Sequence, residues 1–498
     1  MDSLQTLERE APAALAETGI DDFSRLLMKG FTPTSDGARS AVEVAVRTLA
    51  EQALADTTLI RDEAKQTIET VIAAIDRKLS GQVNQIIHHP DFQSLESAWR
   101  GLHYLVNNTE TDEMLKIRVF NISKKELQRS LRKYKGTAWD QSPVFKKVYE
   151  EEYGQFGGEP YGCLVGDYYF DHSPIDTEML GEMAQIAASA HAPFLAAAAP
   201  SLMQMQSWQE LANPRDLTKI FQTPEYAAWR SLRESEDSRY VGLAMPRMLA
   251  RLPYGAKTDP VAEFEFEEEV EGGDHQRYVW ANAAYAMAVN VTRSFKLYGW
   301  CSRIRGVGSG GAVEGLPAHT FPTDDGGIDM KCPTEIAISD RREAELAKSG
   351  FMPLIHRKNS DMAAFIGAQS LNRPPEYEDA DATANASLAA RLPYLFATCR
   401  FAHYLKCIVR DRVGSFADRD GMQRWLGDWV NRYVEPNPAM ASEEEKSRKP
   451  LAAAEVVVDE DPANPGYYSA KVFLKPHYQL EGLTVSLRLV ARLPSTKS

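Results

Sequence analysis

Tyr161-Gly162-Cys163-Leu164-Val165-Gly166-Asp167-Tyr168-Tyr169-Phe170 is the stretch on which the fold turns. It is apolar, rich in aromatic residues and free of proline, and it reads as a buried strand. Met179, Met183, Ile186 and Ala190 follow at helical spacing, and Ala192–Ala199 is a second short apolar run. Strand, helix and strand in this order predict a βαβ unit, two parallel strands joined by a right-handed crossover. The pattern is expected again at Glu335–Ser339, Asp340–Lys348 and Phe351–Arg357, where Gly350 is placed to end the helix. A long helix over Trp280–Tyr298 lies between the two units. The fold class is therefore expected to be mixed α/β (α+β).

Upstream, Ala64, Ile68, Val71, Ile72, Ile75 and Leu79 predict one helix, and Phe92, Leu95, Trp99, Leu102 and Val106 a second. Leu115–Ile122 alternates like a strand, and Ser123 with Glu126 forms a capping box that opens a third helix. Residues 1–60 read as an arm. Their short amphipathic pieces (Phe23, Leu26, Leu27; Val42, Val46, Leu49) flank a polar loop at Thr32–Gly37 and hold too little apolar surface to stand alone.

Downstream, Asn372–Thr383 combines Pro374-Pro375 with Glu376, Glu378, Asp379 and Asp381, the composition of a domain boundary. Two helices are expected beyond it, Leu395–Val413 and Asp418–Val434, with Gly414 and Pro436 as stops. From Ala452 the chain is β-rich. Val456 and Val458 open one strand, Tyr468, Ala470, Val472 and Leu474 alternate in a second, and Leu483, Val485, Leu487 and Leu489 in a third. The organisation is thus an arm at 1–60, a central region at 61–372 with βαβ units, a linker at 373–383, and a C-terminal domain at 384–498 of two helices and about three strands.

At 498 residues the chain exceeds what one core usually organises. With 56 Lys+Arg against 70 Asp+Glu its net charge is -14, which argues against a generic nucleic-acid binder. Five cysteines (Cys163, Cys301, Cys332, Cys399, Cys407), odd in number and without a CxxC pair, suit a reduced, cytoplasmic protein. The polar, acidic Met1–Glu10 does not read as a signal peptide, and the apolar run around Ala192–Ala199 is too short to span a bilayer, so no membrane insertion is expected.

Three clusters invite chemistry. His88, His89, Asp91 and His103 could suggest a metal, but no HExxH-like spacing is present, and Asp91 suits the first turn of a helix. Gly306-Val307-Gly308-Ser309-Gly310-Gly311 resembles a phosphate cradle in composition, but Ala312–Pro317 is not a helix start, so a close-packed loop is expected. Ser231–Arg239 is dense in hydroxyls and charge, and a salt-bridged helix end accounts for it with fewer coincidences than acid–base work. There is no GxSxG elbow and no Walker motif. No catalytic residue, cofactor or metal site is assigned, and a metal- or nucleotide-dependent enzyme using the His88 region or the Gly306 loop is the rival class. On the helix at Leu395–Val413, Arg400, His403, Lys406 and Arg410 share one arc while Phe401, Leu405, Ile408 and Val409 lie opposite. That basic face is either an ordinary solvated face or a docking surface for an acidic partner.

Several segments together resemble one family: Ile86–Leu102 (IIHHPDFQSLESAWRGL), Glu152–Gly158 (EYGQFGG), Ser189–Phe194 (SAHAPF), Trp229–Asp237 (WRSLRESED), Ser309–Glu314 (SGGAVE) and Asn464–Tyr468 (NPGYY). The chain resembles the large subunit of the type VI secretion system contractile sheath, the TssC/VipB family, from about Arg61 to near the C-terminus. The resemblance implies a structural, non-enzymatic subunit that intertwines with a small sheath subunit and stacks with neighbouring copies of itself around a secreted inner tube protein. It also implies contacts with baseplate components and recycling by an ATP-dependent unfoldase. A tail-sheath protein of a related contractile particle is the near alternative. In such an assembly Arg400, His403, Lys406 and Arg410 are the tube-facing candidates, with the basic side left free. Val456, Val458, Val472, Leu474, Val485 and Leu487 are candidates for strand exchange between subunits, because exposed strand edges recruit other chains.

Overall fold

Seven residues of the opening stretch, Leu164–Phe170, form strand β1 in the computed structural model of the protein. The structure describes residues 64–213, 216–323, 325–412, 419–460 and 468–477, with Gln479 and a few positions between 37 and 48. The arm at 1–60, apart from those few positions, and the run from Leu483 to Leu489, with Val485 and Leu487, lie outside the described residues.

The predicted βαβ unit is present. Helix α4 (Pro174–Ala190) follows β1, with Ser173 as its N-cap, and leads to β2 (Phe194–Ala198), which pairs parallel to β1. His191 closes α4 in the left-handed conformation at φ 51°, so the chain can turn at once into β2. Strand β3 (Val241–Met245) joins parallel to β2, and β5 (Phe351–His356) parallel to β3. Two short antiparallel strands, β6 (Ala363–Phe365) and β4 (Ala312–Val313), complete a six-stranded sheet of order β1-β2-β3-β5-β6-β4. Each of the residues Val241–Met245 and Phe194–Ala198 is buried, as expected for inner parallel strands. One apolar cluster gathers α4 residues such as Leu180 and Met183 with Trp208, Trp229 and Phe351. A second gathers helix α6 (Ala284–Tyr298), including Met287 and Val291, with Leu195, Met352 and Phe365.

Three expectations are corrected. Glu335–Ser339 is not a strand: Thr334 makes only an isolated bridge to Met248, and the Glu335 amide donates to the Arg247 carbonyl. Helix α7 (Asp340–Lys348) therefore precedes β5 without a strand before it. Trp280 lies in a two-residue strand with Ala281, so α6 starts at Ala284. Residues 115–122 run without any ladder.

Upstream are helices α1 (Ala64–Ile87), α2 (Pro90–Asn107) and α3 (Lys124–Lys133), the last opened by the predicted capping box. Contact density divides the chain into two compact units, one holding residues up to Gln93 together with Pro253–Val270, the other the remainder. Within the first, Asn84 ties α1 to the inserted segment: Nδ2 donates to the Glu267 carbonyl at 3.1 Å and Oδ1 accepts from the Glu269 amide at 2.9 Å.

Within the second unit, helices α8 (Ala380–Ala389), α9 (Leu392–Asp411), α10 (Arg419–Asn431) and α11 (Glu443–Arg448) precede an antiparallel hairpin of β7 (Leu451–Glu460) and β8 (Tyr468–Pro476). A third cluster, with Trp300, Phe401, Leu426, Val430, Val456 and Val458, joins α9, α10 and the hairpin.

Candidate assembly surfaces

The basic face of α9 is covered by its own chain. His403 is 2% exposed, and its Nε2 donates to the carbonyl of Ala190 at 2.8 Å. Lys406 Nζ lies 3.5 Å from the ring centre of Tyr153 and 4.9 Å from that of Tyr149. Arg410 donates to the Gln155 carbonyl at 2.9 Å and stacks on Phe156, and Arg400 lies over Phe295 and Tyr404. The expectation of a free basic face is thus corrected. The helical period places the four residues on one arc, but aromatic rings from distant segments occupy the space above them. Burial pushes the His403 imidazole down to about 4, aided by the charges of Arg400, His191 and Lys406 and against the hydrogen bond to Ala190. His191 is lowered too, first by burial and then by Lys406.

The Glu152–Gly158 and Ser189–Phe194 segments therefore meet on α9: Tyr153 packs edge-on against both His191 and His403. Sequence reasoning singled out each segment without a signal that would join them.

The C-terminal hairpin presents one sealed and one open side. Val456 and Val458 face the core at 7% and 0% exposure. Along the outer side of β7, the Val458 amide donates to Gln423 Oε1 at 3.2 Å and its carbonyl accepts from Arg419 Nε at 2.9 Å. Leu451 is held at the other end by Tyr433 and Glu435. Because Val458 spends its backbone groups away from β8, its pair with Ala470 is a non-hydrogen-bonded one. The same parity holds for Val456 with Val472 and Ala454 with Leu474. The amides and carbonyls of Ala470, Val472 and Leu474 therefore point to the outer side of β8, where no strand lies among the described residues.

The residues of these clusters have partners within the chain. His88 bonds Glu268 at 3.1 Å, His103 Nε2 lies 2.8 Å from Asn107, and His89 is 3.8 Å from Asp91. Among the described residues no group of three His, Cys, Asp or Glu could hold a metal ion. In the glycine loop the amides turn inward: Gly306 donates to Phe365 and Gly311 to Gly306, while Arg293 and Arg303 donate to loop carbonyls. A phosphate cradle needs the opposite orientation. Arg233 spans the Leu371 and Lys348 carbonyls, and burial lowers its guanidinium to about 10. Glu96, in the Ile86–Leu102 segment, pairs with Arg251 and Arg100; burial pushes its carboxyl up, and the two arginines hold it below the usual range.

Residues 69–372 match the family described as EvpB/VC_A0108, tail sheath N-terminal domain, and residues 381–493 match the EvpB/VC_A0108 tail sheath gpW/gp25-like domain. The chain belongs to this tail-sheath family. It is 74% identical, over 96% of its length and 96% of the relative's, to the type VI secretion system sheath protein TssC1 of Pseudomonas aeruginosa. Two solved structures share its outline weakly. One is the anti-feeding prophage baseplate (11% identity, 76% of this chain and 83% of that chain, TM-score 0.39). The other is the contracted helical sheath of the same particle (12% identity, 64% and 68%, TM-score 0.32). As a tail-sheath protein, the chain is a structural subunit of a type VI contractile sheath. No helix among its described residues is long and apolar enough to cross a membrane.

Proposed function

We propose that this tail-sheath subunit intertwines with a small sheath subunit and links to neighbouring copies by strand addition, forming a cytoplasmic sheath that contracts around an inner tube without catalysis of its own. The observation that carries the linkage is the outer side of β8, whose backbone groups at Ala470, Val472 and Leu474 meet no strand among the described residues. Val485 and Leu487, or the arm at 1–60, are the segments proposed to travel between subunits. Repeated head-to-tail addition generates an open helical array. The exposed Leu95, Trp99 and Val106 on α2, at 57%, 66% and 45%, also suit a chain that is completed by others. Contacts with baseplate components and recovery by an ATP-dependent unfoldase complete the cycle. Arg400, Lys406 and Arg410 are proposed to serve the tube only through the shape of the wall they brace, since their charges are engaged internally.

The test is electron microscopy of the chain co-expressed with its small partner and the tube protein. Hollow tubes are expected; soluble, unassembled protein from both chains overturns the proposal.

A further inference from the structure

Among the described residues β1 pairs with a strand along one side only, with β2. Its other side faces residues 115–122. The contacts across this strip are made by side chains. Tyr168 Oη donates to the Ile122 carbonyl at 2.7 Å, and Arg118 reaches Tyr161 Oη at 3.5 Å. Lys124 Nζ donates to the Tyr169 carbonyl at 2.6 Å. Lys116 and Arg118 both pair with Glu159. These contacts run in the same order along both segments, so the two are parallel neighbours. Yet no backbone hydrogen bond joins them, and none of the amides from Lys116 to Ile122 has an acceptor among the described residues.

The segment nevertheless lies as a strand would. Ile117 packs on the cluster that holds α6, and Ile122 on the cluster that holds α4. Their opposite parity puts them on opposite faces of the sheet. Between them Val119 and Phe120 are 69% and 53% exposed. An extended, apolar, unpaired backbone beside an open sheet edge is a place for strand addition.

Charge selects the occupant. In a chain of net charge -14, residues 115–135 hold eight Lys or Arg and one acidic residue, Glu126. Lys125 and Arg132 are exposed and have no carboxylate within ion-pair distance among the described residues. A second copy of this same basic segment would be repelled.

We infer that the strip formed by residues 115–122 and the outer side of β1 receives an extended, acidic strand from another polypeptide, hydrogen-bonded to the backbone of 116–122. The inference rests on the proposed pairing with the small sheath subunit and names where and how that subunit docks.

The test reads amide hydrogen exchange at residues 116–122 in the purified complex with the small sheath subunit. Exchange about tenfold or more slower than the unprotected rate is expected. Val119→Pro is expected to restore fast exchange at its neighbours and loosen the complex, while thermal melting of the chain itself is unchanged. A complex whose 116–122 amides exchange freely overturns the site and leaves the partner reading standing. Failure to form any complex overturns both. Protection that appears without the small subunit and grows with this chain's concentration assigns the strip to a second copy and also overturns the inference. Lys125→Glu with Arg132→Glu is expected to weaken the complex at low salt and have little effect at about 0.5 M salt; an effect equal at both contradicts an acidic partner.

Discussion

His403 donates a hydrogen bond to the carbonyl of Ala190 across 213 residues of chain, and so fastens the last turn of the first crossover helix to the long helix of the C-terminal part. The bond is buried and its donor is held neutral, because burial lowers the imidazole to about 4. In the unfolded chain the same group titrates near 6.5. Between these values the unfolded state binds a proton that the folded state refuses. Stability is thus fully present above pH 6.5 and falls as pH drops toward 4, by about 3 kcal/mol from this group. His403→Gln, which keeps a donor and cannot charge, is expected to flatten that slope. Melting temperature followed from pH 7 to pH 4 in both proteins checks it, and equal slopes would refute it.

Arg247 and Glu335 form an ion pair whose carboxylate is fully enclosed, with Nη2–Oε1 at 2.6 Å, Nε–Oε2 at 2.8 Å and His275 Nε2 at 3.1 Å. Burial pushes the Glu335 carboxyl up, but His275 and Arg247 hold it below the usual range. Arg247→Met removes the guanidinium and leaves the carboxylate with His275 and the residue-247 backbone amide, and is expected to cost about 1–3 kcal/mol. Arg247→Met with Glu335→Met is expected to recover much of that loss. Chemical denaturation of the two variants measures it.

Two glycines of one loop are expected to behave oppositely. A Cβ at Gly311 would sit 2.4 Å from the Phe365 carbonyl oxygen and 2.6 Å from the Arg305 carbonyl carbon, all rigid backbone. At Gly308 nothing lies within 4 Å. Gly311→Ala is therefore expected to destabilise by about 1–3 kcal/mol or more, and Gly308→Ala to be near neutral. If Gly308 proves the sensitive position instead, the loop's amides serve something other than packing.

Val472→Pro removes an amide that points outward from β8. Proline is tolerated at such edge positions, so the hairpin is expected to survive and the complex with the small subunit to remain soluble. Sheath length in electron micrographs is expected to collapse. Full-length sheaths from this variant would show that the outer side of β8 is not the joint.

The periodicities in the sequence were good reporters of local structure and poor reporters of company. Ser123 with Glu126, and the run from Leu164 to Ala198, are local patterns whose hydrogen bonds close within a few residues or one crossover. Leu115–Ile122 alternates because it has two faces, which does not supply a neighbouring strand. Glu335 looks like the start of a strand, yet its amide and carboxylate go to Arg247, a choice made by tertiary geometry. The arc of Arg400, His403, Lys406 and Arg410 follows from helix geometry, whereas its aromatic cover comes from Tyr149, Tyr153 and Phe156, some 250 residues earlier. Only the family resemblance pointed at the sheath; composition and spacing stopped at a multidomain α/β chain.

Arg419 and Gln423 close one flank of the hairpin, and among the described residues no strand lies on the other, so the proposed joint has a valency of one. A subunit with two bare flanks could accept strands from both directions and would branch or gel. With a single acceptor, the proposed joint would let each copy be followed by only one other, giving growth a direction and handing any pull on one copy to a single successor. On that proposal, two side chains on α10 would separate an ordered fibre from an aggregate.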